Sequence, residues 1–182
     1  MAKRRINRQG VDREVFKRVC IWGLFLMLLA CAQCSFFARL HLLPATPDLI
    51  LGALLAILVL DSTPAAAIAA VGGGILIDAL GAEGVSWSPL FYLALMALMG
   101  LLATKMLQGF AAYFVLLLLS LPFRAGATAL GLFGRVSDFS FTAALRAVIL
   151  PEAIVTFVLG IPIYFLGKLC MLPLATTYRR GR

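Results

Sequence analysis

The stretch TPDLILGALLAILVLDSTPAAAIAAVGGGILIDALGAEG, residues 46–84, contains two apolar segments that each begin at a Thr-Pro pair and each end near an aspartate. A hydroxyl residue followed by proline is typical of a helix start. The turn at residues 60–65 has only a few residues, so the two segments are predicted to be antiparallel neighbours. A carboxylate in hydrocarbon costs several kcal/mol unless it is satisfied, which makes Asp78 a candidate functional residue.

The composition indicates a membrane protein. The chain has 182 residues, of which 63% are hydrophobic and 13% charged, and its mean hydropathy is +1.03. Soluble domains have about 45–50% apolar and about 25% charged residues. We therefore expect an all-α, polytopic membrane protein with one membrane domain, whose core is made by helix–helix packing.

Six helices are predicted, which makes the fold a six-helix transmembrane bundle. The apolar run after Lys17 is long enough to span a bilayer, so it is interpreted as a retained first helix and not as a signal peptide. The predicted domain limits are a basic tail at 1–18, the membrane domain at 19–173 and a second basic tail at 174–182. The helices are expected near residues 19–38, 47–61, 64–81, 89–104, 109–123 and 151–173.

The net charge of +8 is concentrated at the two ends of the chain. Basic clusters mark the cytoplasmic side, so both termini are predicted to be cytoplasmic. Anionic lipid headgroups explain these charges better than nucleic acid does. The residues from Arg124 to Arg146 are predicted to form the longest loop, outside the cytoplasm. Its apolar side chains suit a helix lying in the interface; they are Phe139, Phe141, Leu145 and Val148.

The second segment, from Pro47 to Asp61, is short. It spans roughly 22 Å of helix, because each residue rises 1.5 Å, whereas a bilayer core is about 30 Å thick. Segments two and three are therefore predicted to form a short hairpin that either thins the membrane locally or re-enters it.

The acidic residues differ in whether they lie at the start or at the end of a predicted helix. Asp48 and Glu152 each lie in a predicted first turn, where the helix dipole favours a carboxylate. Asp78 lies near a helix C-terminus, where the dipole disfavours it, so it needs water, a backbone donor or a cation such as Arg39 or Arg146. A structural or partner-binding role is favoured for Asp78. A proton or ion relay is the weaker alternative, because no series of ionisable groups crosses the membrane.

Three consecutive glycines, Gly72, Gly73 and Gly74, precede Asp78 by about one turn. Ala69 with Gly73, and Ala70 with Gly74, have the small-xxx-small spacing that lets helices approach closely. A helix of the same bundle is the favoured neighbour, and a helix of another protein is the alternative. No metal site is expected, because Cys31 and Cys34 have no second cysteine pair or histidine cluster to complete one. No catalytic or cofactor site is expected either, because no serine lies in a nucleophile elbow and no glycine-rich segment follows the phosphate-loop pattern.

The segment from Leu42 to Gly100 resembles the rod shape-determining protein MreD family. The resemblance rests on a Pro-Asp pair opening the second span, Pro47 and Asp48, and on a glycine-rich motif ending in aspartate, Gly72 to Asp78. A glycine-containing turn with Gly81 follows. The last span, which begins PEAIVTFVLG at residues 151–160, is also similar to that family's final helix.

The resemblance implies a non-enzymatic membrane component of the bacterial cell-elongation machinery, supporting cell shape and peripheral peptidoglycan synthesis. Such proteins work with MreC, in an assembly that contains MreB, RodA and a class B penicillin-binding protein. The implied fold is similar to the substrate-binding S components of energy-coupling-factor transporters, so a vitamin- or metal-uptake S component is the rival hypothesis. A small transporter or channel is a third possibility, although it would need polar residues through the full membrane depth.

Overall fold

The chain forms an all-helical structure, with no strand among the residues that the structure describes. The computed structural model describes residues 2–37, 46–80, 87–104, 109–134 and 140–179, with side chains from residue 15 to residue 171 of those ranges. Two π-helical turns, Ala32–Phe36 and Leu145–Ile149, interrupt the α-helices. The α-helices are α1 Ala2–Cys31, α2 Leu49–Leu60, α3 Thr63–Ala79, α4 Ser88–Ala103, α5 Phe110–Phe133, α6 Phe141–Ala144 and α7 Leu150–Arg179.

Helix α2 is the central element. Its residues 49–58 are all buried, and it contacts α1, α3, α4, α5 and α7. A helix that is apolar all round is expected to be buried on all sides, and the sequence of α2 meets that description. Because α2 is enclosed by the other helices, α3 is the helix of the predicted hairpin that can contact lipid.

Close packing between α2 and α7 occurs at a pair of glycines. A side chain at Gly160 would approach within 2.5 Å of Leu117, and one at Gly52 would lie 3.6 Å from the Gly160 Cα atom. The buried Tyr113 hydroxyl donates to the Gly160 carbonyl at 2.7 Å and lies 3.4 Å from that of Gly52. Small residues at helix crossings are the usual route to tight packing in membranes.

The glycines before Asp78 pack inside the bundle, as the favoured interpretation predicts, but only two of the three do so. A Cβ atom at Gly73 would lie 3.1 Å from the Ile50 side chain, and one at Gly74 would collide with the backbone of Pro89. Gly72 is exposed and has no described atom in its way. The alternative of a foreign helix therefore remains open at Gly72 alone.

Within the described ranges, three helices have the length and apolar composition to cross a membrane, and three apolar helices are shorter. The long ones are Val15–Phe36, Phe110–Phe133 and Phe141–Met171. The shorter apolar helices have 10–17 residues; they are α2, α3 and α4. Length and composition thus agree with a membrane protein, and the predicted count of six spans stays a prediction.

The predicted loop from Arg124 to Arg146 is wrong. Helix α5 continues through Pro122 as far as Phe133, and a new helix begins at Phe141. Proline inside a helix lacks an N–H donor and usually ends or kinks a helix in soluble proteins. Membrane helices tolerate proline where neighbouring groups compensate for the lost hydrogen bond, and side chains beyond Pro122 hold this helix to α7.

The last helix does not begin at Leu150–Glu152. It continues from α6 through the second π-helical turn into α7 without a break. Of the residues assigned to an interfacial helix, Phe141 and Leu145 are exposed and Val148 is half-buried, and all three belong to this continuous helix. Phe139 lies outside the described residues.

The helix caps differ from the predicted Thr-Pro starts by one or two residues. Asp48, not Thr46, is the N-cap of α2. Ser62, not Thr63, caps α3, with its hydroxyl 3.4 Å from the Ala65 N–H. Trp87 occupies the N-cap position of α4 and makes no side-chain cap.

Helices α1 and α7 approach each other at the end of the bundle where α2 ends. Arg18 on α1 pairs with Asp61 at the end of α2, and a side chain at Gly167 on α7 would lie 3.7 Å from Trp22 on α1. An even number of crossings requires this arrangement. The side of the membrane that the ends occupy remains a prediction from the positive charges.

Gly74→Ala is expected to destabilise the protein by about 1–3 kcal/mol, because overpacking at a tight contact forces the backbone to shift. Gly72→Ala is the matched control, two residues away on the exposed side. It is expected to be neutral or to stabilise by up to about 1 kcal/mol, since alanine favours helix over glycine. Unfolding in detergent measures both variants, and equal effects would contradict the packing assigned to Gly74.

Candidate functional site, a buried polar cluster

The start of α2 has four backbone N–H groups that the helix itself cannot satisfy. Side chains accept all four, those of Asp48, Leu49, Ile50 and Leu51. The Gln33 side-chain oxygen, from the first π-helical turn, lies 2.9 Å from the Leu49 nitrogen and 3.4 Å from the Ile50 nitrogen. The Thr156 hydroxyl of α7 accepts from the Asp48 N–H at 2.9 Å.

The Asp48 carboxylate joins three elements. Its Oδ1 atom accepts from the Leu51 N–H at 2.9 Å, which closes the helix cap. Its Oδ2 atom accepts from the Tyr92 hydroxyl of α4 at 2.7 Å and lies 3.1 Å from Arg124 Nε of α5. Asp48 is 1% exposed. Asp48 thus acts as the predicted helix-end group and also as the centre of an ion pair.

Arg124 connects Asp48 to a second buried acid. Its Nε atom lies 3.0 Å from Glu152 Oε1 on α7 and 3.1 Å from Asp48 Oδ2. The Thr128 hydroxyl, one turn after Arg124 on α5, lies 3.2 Å from Glu152 Oε2. We call Gln33, Asp48, Tyr92, Arg124, Thr128, Glu152 and Thr156 the polar cluster.

The charges of the polar cluster do not balance. Among the residues that the structure describes, two carboxylates face one guanidinium, and the side chains of Arg124, Asp48 and Glu152 are 12%, 0% and 9% exposed. Moving ions out of water costs several kcal/mol each unless close pairing and hydrogen bonds offset the cost. The short distances and the hydroxyl donors supply this compensation, so the cluster is a stable junction of α2, α4, α5 and α7.

A small cavity lies beside the cluster, between α5 and α7. It has room for about one water molecule, by the usual size limit for buried water. Pockets for small-molecule ligands have about 300–1,000 Å³, so this cavity is far too small for a vitamin. Its lining residues are Leu121, Arg124, Ala125, Ile149, Glu152, Ala153 and Thr156.

The opposite end of α2 carries a smaller polar group. Asp61 lies 3.4 Å from Arg18 and accepts from the Trp22 indole N–H at 3.0 Å. Asp61 follows the C-terminus of α2, where the helix dipole disfavours a carboxylate, and precedes the N-terminus of α3, where the dipole favours one. Pairing with Arg18, whose side chain is 40% exposed, offsets the unfavourable dipole of α2.

The sequence placed Pro47, Asp48 and Glu152 at helix starts, and the structure corrects one of these positions. Pro47 is buried directly before the Asp48 cap. Glu152 is not at a free helix start, since the helix runs on from Phe141. The helix dipole therefore does not explain Glu152, and its pairing with Arg124 does.

Asp78 lies at the same end of the bundle as Asp48, as predicted, because α3 returns antiparallel to α2 and Gly73 packs on Ile50. It is half-buried, and its Oδ1 atom is buried without a hydrogen-bond partner among the described residues. Arg146 is exposed and makes no ion pair with it there. Arg39 and the candidate residue Gly81 lie outside the described residues.

Sequence reasoning missed Arg124, Tyr92, Gln33 and Thr156. Arg124 had been assigned to a loop, and the other three are single polar residues in apolar helices. A usable signal is present: an arginine within reach of an apolar helix needs an acid, and Asp48 and Glu152 are acids at predicted helix starts to which no cation is assigned. The contribution of four different helices could not be read from one sequence.

Arg124→Met is expected to destabilise the fold by about 3–5 kcal/mol, because it leaves two buried carboxylates without their cation. Arg146→Met removes a neighbouring exposed arginine and is the matched control, with an expected change within about 0.5 kcal/mol. Unfolding by denaturant in detergent measures both. Equal stability of the two variants would show that the ion pairs of Arg124 contribute nothing.

Glu152→Gln is expected to be far milder than Arg124→Met. Glutamine keeps an oxygen that can accept from Arg124 and removes the surplus negative charge, which is costly in a buried site. We expect a change of less than about 1 kcal/mol in either direction, well below the loss for a stranded charge. If Glu152→Gln lowered the free energy of unfolding as much as Arg124→Met in the same assay, the cluster would not carry a surplus negative charge.

Comparisons with protein-family models, with curated proteins and with solved structures find no match to this chain. The function must therefore be inferred from the residues and contacts described above.

Proposed function

We propose that the protein is a non-enzymatic membrane scaffold of the bacterial cell-elongation complex, of the MreD type, with both basic termini in the cytoplasm and MreC as its partner. It crosses the inner membrane as a six-helix bundle in this proposal. MreC would bind through its transmembrane segment, and MreB, RodA and a class B penicillin-binding protein would complete the assembly. Anionic lipids would hold the basic ends.

The polar cluster is the observation that carries this proposal. The buried polar side chains at this end of the bundle are used to join helices: Asp48 and Arg124 link α2, α4, α5 and α7 at 2.7–3.1 Å. Such a junction favours one rigid arrangement of the bundle. A rigid, inert bundle suits a scaffold, whose surfaces have to stay in a fixed geometry while partners bind.

The positions of the family-like residues also support the proposal. Asp48 of the Pro-Asp pair caps the central helix, and Gly73 and Gly74 of the glycine-rich motif allow α3 to pack closely on α2 and α4. Residues that resemble a family's motif carry more weight when they occupy positions that the fold depends on.

The rival S component needs a ligand pocket near the polar residues. The cavity beside Arg124 and Glu152 holds about one water and is lined mostly by apolar side chains. The Asp48 and Glu152 oxygens of the cluster already lie within 2.7–3.2 Å of Tyr92, Arg124 and Thr128. This conformation therefore favours the scaffold over the vitamin-binding protein.

Co-purification from the native membrane separates the two functions. After mild crosslinking, recovery of MreC with the tagged protein is expected. Recovery of ABC-type ATPases together with a bound vitamin would overturn the scaffold proposal and establish the S component.

Asp78→Ala is expected to lower the amount of MreC recovered by about tenfold, which corresponds to ~1.4 kcal/mol of binding free energy. Asp78 is the acid of the glycine-rich motif and is only half-buried at the end of α3, so a partner donor could reach the exposed part of the residue. Arg146→Ala is the control for loss of a surface charge. If Asp78→Ala inserts and melts normally yet retains MreC, the partner role is wrong; if it fails to fold, Asp78 is structural.

A further inference from the structure

Helices α3 and α4 form an apolar face that differs in length from the rest of the bundle. They pack against each other, and large apolar side chains point outward along both of them. Ile68 on α3 is 72% exposed, and Leu90 and Leu101 on α4 are 67% and 69% exposed. Unlike α2, which is enclosed, these two helices therefore meet whatever surrounds the bundle.

The apolar length of this face is short. The uncharged stretch of α3, residues 63–77, spans about 22 Å at 1.5 Å per residue, and the 16 residues of α4 span about 24 Å. A bilayer core is about 30 Å thick. On the other side of the bundle, the 24 residues of α5 span about 36 Å. The charge of α5, Arg124, is turned inward with a side chain 12% exposed, while Phe110 and Phe133 at the two ends of α5 are 40% and 69% exposed. The two sides of the molecule thus require different membrane thicknesses.

Polar or interfacial residues fix both limits of the short face. At one limit, Trp87 is 70% exposed at the start of α4, and Asp78 is half-exposed at the end of α3. Tryptophan prefers the level of the lipid headgroups. At the other limit, Thr63 and Thr104 are exposed. The face therefore cannot be lengthened by sliding, because that would bring these groups into hydrocarbon.

We propose that the α3–α4 face binds a locally thinned bilayer and selects phospholipids with shorter acyl chains than those that contact α5. A thin bilayer supplies headgroups at both limits of the face at once. A partner helix of ordinary length would instead carry its apolar surface past Trp87 and Asp78. A hydrophobic length below the bilayer thickness is accommodated by thinning at a modest cost. The inference goes beyond the proposed function and does not depend on it.

Lipid quenching of two matched tryptophan reporters tests the proposal. Leu98→Trp reports on α4 and Leu119→Trp on α5, at positions that are 38% and 39% exposed. Both are made in a Trp87→Phe background, where the remaining native tryptophan, Trp22, is 4% exposed. The fluorescence of the Trp87→Phe protein without a reporter is subtracted as the background. Each protein is reconstituted in a series of phosphatidylcholines of increasing chain length, together with their brominated analogues.

Each reporter is expected to be quenched most strongly by brominated lipid of one acyl-chain length. We expect this chain length to be shorter for the α4 reporter than for the α5 reporter. The same optimum at both positions would overturn the proposal. Quenching at Leu119→Trp with none at Leu98→Trp would overturn it too, because it would show that a second copy of the chain covers the face. Unfolding temperatures of both reporters, compared with the Trp87→Phe protein, confirm that the bundle is intact before chain lengths are compared.

Discussion

The rest of the structure depends on the unmet N–H groups at the start of α2. The 12 residues of this helix span about 18 Å. If it is centred in a bilayer core about 30 Å thick, each end lies about 6 Å inside the hydrocarbon. No water is available there, so protein groups have to accept the exposed backbone donors. Gln33, Asp48 and Thr156 do so, and this requirement places α1 and α7 beside the start of α2.

The charges follow from the same constraint. Asp48 caps α2 well but carries a negative charge into the interior, so a cation has to come with it. Arg124 supplies that charge from α5, and it also pairs with Glu152, which accepts from the Thr128 hydroxyl. The need to satisfy the backbone N–H groups at the start of α2 therefore brings four helices together at the polar cluster. At the other end Asp61 lies nearer the surface, where the partly exposed Arg18 and the Trp22 indole are enough.

Local features were predictable from the sequence, and long-range features were not. The all-helical class, the hairpin, the position of Asp48 at a helix start and the packing role of Gly73 and Gly74 each follow from residues close together in the chain. The pairing of Asp48 with Arg124 does not follow, because the sequence predicts a loop from Arg124 to Arg146, whereas α5 continues through Pro122, as membrane helices can. Glu152 is wrongly predicted at a free helix start because its helix begins within the same segment, at Phe141.

The two π-helical turns set how the cluster is aligned. One contains Gln33, and the other, Leu145–Ile149, ends three residues before Glu152. A π turn holds one residue more than the α-helix around it, and each residue turns a helix by about 100°. Deleting that residue would rotate α6 relative to Glu152 by over a quarter turn. Insertions and deletions in residues 141–149 would therefore change the phase of the helix before the cluster, while leaving its composition and hydropathy almost unaltered.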